Sequence, residues 1–91
     1  RHIFFGRKQD KTMAVDVGDI DNDGDIDIVV GNNGQKNHYY INNDMKFSLN
    51  QFGKKEEVTY GVSLGDFNGD GRLDLVTANS ASVNVIYYNI K

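Results

Sequence analysis

The chain has 91 residues, 38% of them hydrophobic and 11% aromatic, with a formal net charge of −3 from ten basic and thirteen acidic side chains. A unit of this length buries a small core, so ions or neighbouring chains are expected to add to its stability. The composition is that of a folded soluble chain, no apolar run is long enough to insert in a membrane, and the lack of cysteine excludes disulfides, thiolate metal sites and cysteine nucleophiles.

The chain opens Arg1-His2-Ile3-Phe4-Phe5-Gly6, an apolar stretch too short for a secretory signal. Short β-branched and aromatic segments bounded by Gly, Asn and Asp then predict strands over 12–18, 26–31, 37–42 and 45–52. Further strands are predicted over 59–65, 73–78 and 83–89, and no helical period is present. Shifting the sequence by 47 residues aligns 1–44 with 48–91 without a gap, and fifteen of the 44 pairs are identical. The single unit is thus two tandem repeats, about 1–47 and 48–91. Ile3-Phe4-Phe5 falls opposite Asn50-Gln51-Phe52, so residues 1–5 are expected to supply the outer strand of the blade begun at 59–89, in the same chain or in a neighbour. The fold class expected is all-β, two four-stranded antiparallel blades of a β-propeller.

Eight of the thirteen acidic residues fall in two nine-residue windows. The first reads Asp19-Ile20-Asp21-Asn22-Asp23-Gly24-Asp25-Ile26-Asp27 and the second Asp66-Phe67-Asn68-Gly69-Asp70-Gly71-Arg72-Leu73-Asp74. Both fit D-x-[DN]-x-D-G-x-x-D. A hard cation such as Ca²⁺ takes six to eight oxygens, and acidic or amide side chains at positions 1, 3 and 5 of a tight loop point at one centre. Glycine at position 6 permits the sharp turn. Position 7, Asp25 or Arg72, is expected to offer its backbone carbonyl, and position 9, Asp27 or Asp74, to close the shell. Packing such carboxylates together without a cation costs roughly 1 kcal/mol per pair even in water. Two Ca²⁺ ions per chain are therefore expected, with Mg²⁺ disfavoured because it resists full dehydration. An EF-hand is excluded, since position 12 is Val30 in one copy and Thr77 in the other, and both flanks are strand-like.

The segments Val-Gly-Asp-Ile-Asp-Asn-Asp-Gly-Asp-Ile-Asp-Ile-Val-Val (17–30) and Leu-Gly-Asp-Phe-Asn-Gly-Asp-Gly-Arg-Leu-Asp-Leu-Val-Thr-Ala (64–78) resemble the calcium-binding FG-GAP and VCBS-type repeats. Those repeats occur in integrin α-subunit propellers and in bacterial extracellular proteins. The resemblance implies one Ca²⁺ per blade, held by the named aspartates and Asn68 in the loop between the first two strands. It also matches the family's Phe-Gly signature to Phe5-Gly6 and Phe52-Gly53, and it implies an extracellular or cell-surface location. Family propellers carry several blades, whereas this sequence holds two. Two blades cannot close a ring, so a homo-oligomer is expected, a trimer of six blades or a tetramer of eight. A piece of a longer propeller is the rival reading.

No enzymatic constellation is present: His2 and His38 lack a nucleophile motif, and the carboxylates are better used as ligands than as acid and base. Tyr39, Tyr40, Tyr87 and Tyr88 are candidates to stack on a glycan, against the alternative of core packing. Arg7, Lys8, Lys54 and Lys55 read as solvated turns rather than a nucleic-acid site. Three functions remain open: a calcium-stabilised binding or adhesion module with a glycan or protein ligand, a structural repeat, and a non-catalytic part of a larger secreted enzyme.

Overall fold

Period-two alternation of β-branched and aromatic residues produces seven antiparallel strands in the computed structural model, which describes residues 2–54 and 57–89. They are β1 (Thr12–Gly18), β2 (Asp27–Asn32), β3 (Asn37–Asn43), β4 (Lys46–Phe52), β5 (Val58–Gly65), β6 (Asp74–Ser80) and β7 (Val85–Tyr87). Two sheets result, one ordered β1-β2-β3-β4 and the other β5-β6-β7, and β1 lies beside β5. The register repeats: Val17 pairs with Ile28, and Ile28 with Tyr40, just as Leu64 pairs with Leu75, and Leu75 with Tyr87.

Boundaries differ from the sequence expectation where turn chemistry decides. β4 begins at Lys46 rather than 45 because Asp44 and Met45, at φ 54° and 67°, form the two-residue hairpin turn that follows Asn43. Both positions need positive φ in such a turn, and the missing Gly hid it. The Asn42 side chain compensates by accepting the Met45 N–H at 2.7 Å. β7 is three residues long rather than seven, with β6 as its one partner in the sheet. His2 to Phe5 form no strand in the single chain; Arg1 lies outside the described residues, as does Lys55.

The core is the seam between the sheets. Ile20, Val29 and Tyr39 on one side meet Leu75 on the other, with Val62, Leu64, Phe52 and Tyr87 packed around them. The Phe52 ring stands edge-on to Tyr87, centroids 5.2 Å apart. Backbone approach is close: a Cβ on Gly31 would lie 2.7 Å from Thr59 Cγ2, so only glycine fits there. Polar bonds stitch the same seam. Asn37 Nδ2 donates to Thr59 Oγ1 at 3.0 Å, and the Leu64 N–H donates to Asp16 Oδ2 at 2.8 Å. The opposite face of the first sheet carries buried His38, within 3.2 Å of Arg7 Nη2 and 3.4 Å of Asp10 Oδ2, with Tyr40 Oη 3.3 Å away.

Truncation of Leu75 to Ala should destabilise the fold by about 2–5 kcal/mol in denaturant unfolding, because the residue is fully buried at the seam. Burial holds the His38 imidazole below its ordinary pKa of 6.5, Asp10 opposing and Arg7 adding to the shift. The unfolded chain therefore binds a proton first, and this contribution is complete above pH 6.5 and lost as pH falls below it. Val85 occupies the equivalent place in the second repeat, so His38→Val should lose less thermal stability than the parent between pH 7.5 and 5.5. Equal losses would exclude His38 as the source.

Candidate metal centre

Both Asp-rich loops join the first strand of a sheet to the second, β1 to β2 and β5 to β6. Their backbones bend in the same way. Position 4 takes positive φ in both, 59° at Asn22 and 73° at Gly69, and position 6 follows at 93° in Gly24 and 86° in Gly71. Glycine and asparagine reach this region at least cost. The first aspartate then caps the turn: Asp19 accepts the N–H groups of Asp23 and Gly24, and Asp66 those of Gly69, Asp70 and Gly71. The fifth position repeats the pattern, with Asp23 accepting from the Asp25 N–H and Asp70 from the Arg72 N–H, both at 2.9 Å. These bonds favour the charged carboxylate and hold both groups below the ordinary aspartate pKa.

The ninth residue ties each loop to its sheet. Asp27 is fully buried and accepts the Ile20 N–H at one oxygen and the Asn42 N–H at the other, each at 2.8 Å. Asp74, equally buried, accepts from Phe67 and Asn89 at 3.0 Å. Asn42, near the end of β3, and Asn89, in the turn after β7, thus belong to the site, and the sequence reading did not single them out. The signal was available, since they are an identical pair in the 47-residue alignment. Each carboxylate oxygen keeps a second lone pair, so this bridging leaves Asp27 able to face an ion as well.

Asp19, Asp21, Asp23 and Asp27 bring one oxygen each to within 4.8 Å of one another, a grouping of the size one cation spans. Asp21 is the unsatisfied member. Its Oδ1 is buried with no hydrogen-bond partner among the described residues, and its pKa is pushed up to about 6, chiefly by loss of solvent and then by Asp23 and Asp27. A buried carboxylate oxygen with nothing to bind fits a cation ligand. Asp25 lies at the rim, its side chain accepting from the Asp44 N–H at 3.4 Å. In the second loop no equivalent group of acidic side chains forms among the described residues. Asn68 replaces Asp21 there, and Asp70 Oδ2 is occupied by Asn89 Nδ2 at 3.2 Å. Arg72 is exposed and lines a cavity of about 210 Å³ with Asp21, Asn22 and Asn89, which sets the two loops side by side.

The tyrosines distribute unevenly. Tyr39 and Tyr40 are buried and Tyr87 half-buried at the seam, leaving Tyr88 as the one of the four with an exposed ring. Phe5-Gly6 and Phe52-Gly53 occupy equivalent places: each glycine takes positive φ, and each phenylalanine stands edge-on to a tyrosine, Tyr40 or Tyr87.

The family model described as "FG-GAP-like repeat" matches residues 19–77, more than half of the chain and both loops. No curated protein and no solved structure gives a significant match.

Removing the bridging carboxylate should be costly even without metal. Asp27→Ala and Asp74→Ala each orphan two backbone N–H groups and are expected to lower unfolding stability in chelator by about 2–5 kcal/mol. Asp27→Asn, which keeps one acceptor, should lose less.

Proposed function

The chain belongs to the family of FG-GAP-like repeats, and from that premise we propose that it is a calcium-binding pair of propeller blades acting as a non-catalytic binding or adhesion module. The observation that carries this reading is the first loop. Four carboxylates converge there, and the buried Asp21 oxygen lacks any hydrogen-bond partner among the described residues. A hard dication supplies that partner, and it offsets both the loss of solvent and the neighbouring Asp23 and Asp27 that raise the Asp21 pKa. Asp19, Asp21, Asp23 and Asp27 would hold the ion, with the carbonyl of Asp25. Asp66, Asn68, Asp70 and Asp74, with the carbonyl of Arg72, would hold a second. Calcium of the concentration found outside cells suits loops of this kind, so an extracellular or cell-surface setting is part of the proposal. Bound ions would lock the loops on one rim of the blade pair, where the cavity between the loops offers surface to a protein or glycan ligand. A role confined to structural support is the second reading, favoured by how completely the second loop satisfies its own carboxylates.

Calorimetric titration should reveal two calcium sites of unequal strength, the first loop tighter because it brings more carboxylate charge to the ion. Asp21→Ala is expected to abolish the tighter site and Asn68→Ala to weaken the other, with thermal stability falling on chelation. Absence of binding at millimolar calcium, with an unchanged melting temperature in chelator, would overturn the metal reading.

A further inference from the structure

Applying the 47-residue repeat to the contacts at the seam shows what the two outer faces of the blade pair fit. At the seam, Val29, Tyr39 and Ile41 of the first sheet and Ile20 of its β1–β2 loop pack with Val62, Leu64, Leu75 and Tyr87 of the second. Their repeat equivalents are Val76, Ile86, Tyr88 and Phe67 on the outer face of the second sheet, and Val15, Val17, Ile28 and Tyr40 on the outer face of the first. Both sets include large apolar side chains left in water: Val15 is 59% exposed, Val17 56%, Ile86 44% and Tyr88 59%. The polar stitch transfers as well. Asn37 Nδ2 donates to Thr59 Oγ1 within the chain, and the equivalent donor and acceptor are Asn84 and Thr12, one at each end of the molecule. Within each repeat the surroundings of these groups are already built alike. Thr12 bonds Asn32 as Thr59 bonds Asn79, and Asn37 and Asn84 accept from the N–H groups of Asn32 and Asn79, each at 2.8 Å.

The segment ahead of β1 shows the same preparation. Phe5 packs on Tyr40 with ring centroids 5.3 Å apart and planes at 77°, and Phe52 packs on Tyr87 at 5.2 Å and 78°. Phe52 ends β4, the outer strand of the first sheet, so Phe5 sits where the end of such a strand belongs. Phe4, beside it, is 89% exposed. In the first sheet Asn37, His38 and Tyr39 of β3 oppose Phe52, Gln51 and Asn50 of β4. Shifted by one repeat, Asn84, Val85 and Ile86 would oppose Phe5, Phe4 and Ile3, along the edge of β7 that no strand of its sheet covers.

We propose that the two outer faces bind each other between copies of this chain, head to tail, with residues 2–5 of one copy adding as the fourth strand to β7 of the next. This deepens the blade-pair reading above but not its calcium part. The occupant is a second copy because the two ends are complementary in apolar surface, polar stitch and strand register, as the internal seam demonstrates. One difference is a methyl group: Ala78 stands where the seam has Gly31, so the sheets must approach less closely between copies than within one. The contact is heterologous, and closure at an even number of blades gives three or four copies.

Light scattering in saturating calcium should find that assembly. Val15→Glu on one face and Ile86→Glu on the other are exposed positions, so each variant should keep the parent's circular dichroism and calcium binding while running as a monomer. Mixed in equal amounts, the two variants retain one intact pair of faces between them and should form a complex of one copy of each. A parent that stays monomeric at the highest attainable concentration would overturn the proposal. So would an assembly dispersed by one substitution and indifferent to the other, which marks a face that binds itself, or a mixture that fails to pair. A parent that binds calcium yet does not assemble fails this inference alone; a parent that assembles yet binds no calcium fails the metal reading alone.

Discussion

Everything at the loop end of the two sheets hangs on a pair of buried carboxylates. Asp27 and Asp74 each take one backbone N–H from the loop and one from Asn42 or Asn89, at or just past the end of the third strand. Burying a charge is expensive unless it is fully hydrogen-bonded, and a carboxylate that accepts two backbone donors meets that condition while fixing the spacing between loop and strand. With that spacing set, the aspartates at positions 1, 3 and 5 have a floor to stand on. The cluster of the first loop follows from it, because Asp27 is also one of the four converging groups.

The two copies solve the same backbone problem with different electrostatics. Both loops satisfy most of their acidic oxygens with their own N–H groups, which is how so many carboxylates tolerate one another in a short turn. The difference is at position 3. Asn68 is neutral and lends its Oδ1 to the Asp70 N–H at 3.3 Å, whereas Asp21 keeps an oxygen buried and unpaired. One copy is thus nearly self-sufficient, and the other keeps an unpaired carboxylate oxygen inside its acidic cluster.

Much of this was legible in the residues. The strand pattern, the 47-residue repeat and the positions of Gly24 and Gly71 follow from alternation, self-similarity and the demand for positive φ, all of which are local properties. What escaped depends on distance in the chain. The hairpin at Asp44-Met45 lacks glycine and relies on the Asn42 side chain, and the bond from Asn42 back to Asp27 crosses fifteen residues. The identity of Asn42 with Asn89 marked the position, but nothing in local pattern says that an asparagine closing a strand holds a loop on the neighbouring one. The tyrosines show the same limit, since burial of Tyr39 and Tyr40 is set by the sheet that covers them and by the segment around Phe5.

Asp16 has a consequence of its own. Its carboxylate reaches from β1 across the seam to the Leu64 N–H, while its repeat equivalent is Ser63, a shorter and neutral side chain. Hydrogen bonds that involve a charge are roughly twice as strong as neutral ones. A stack of such pairs would therefore have alternating strong and weak joints, and under load or dilution it would part along its serine joints, shedding whole pairs rather than single blades. The duplicated unit, not the blade, would be the brick that survives disassembly.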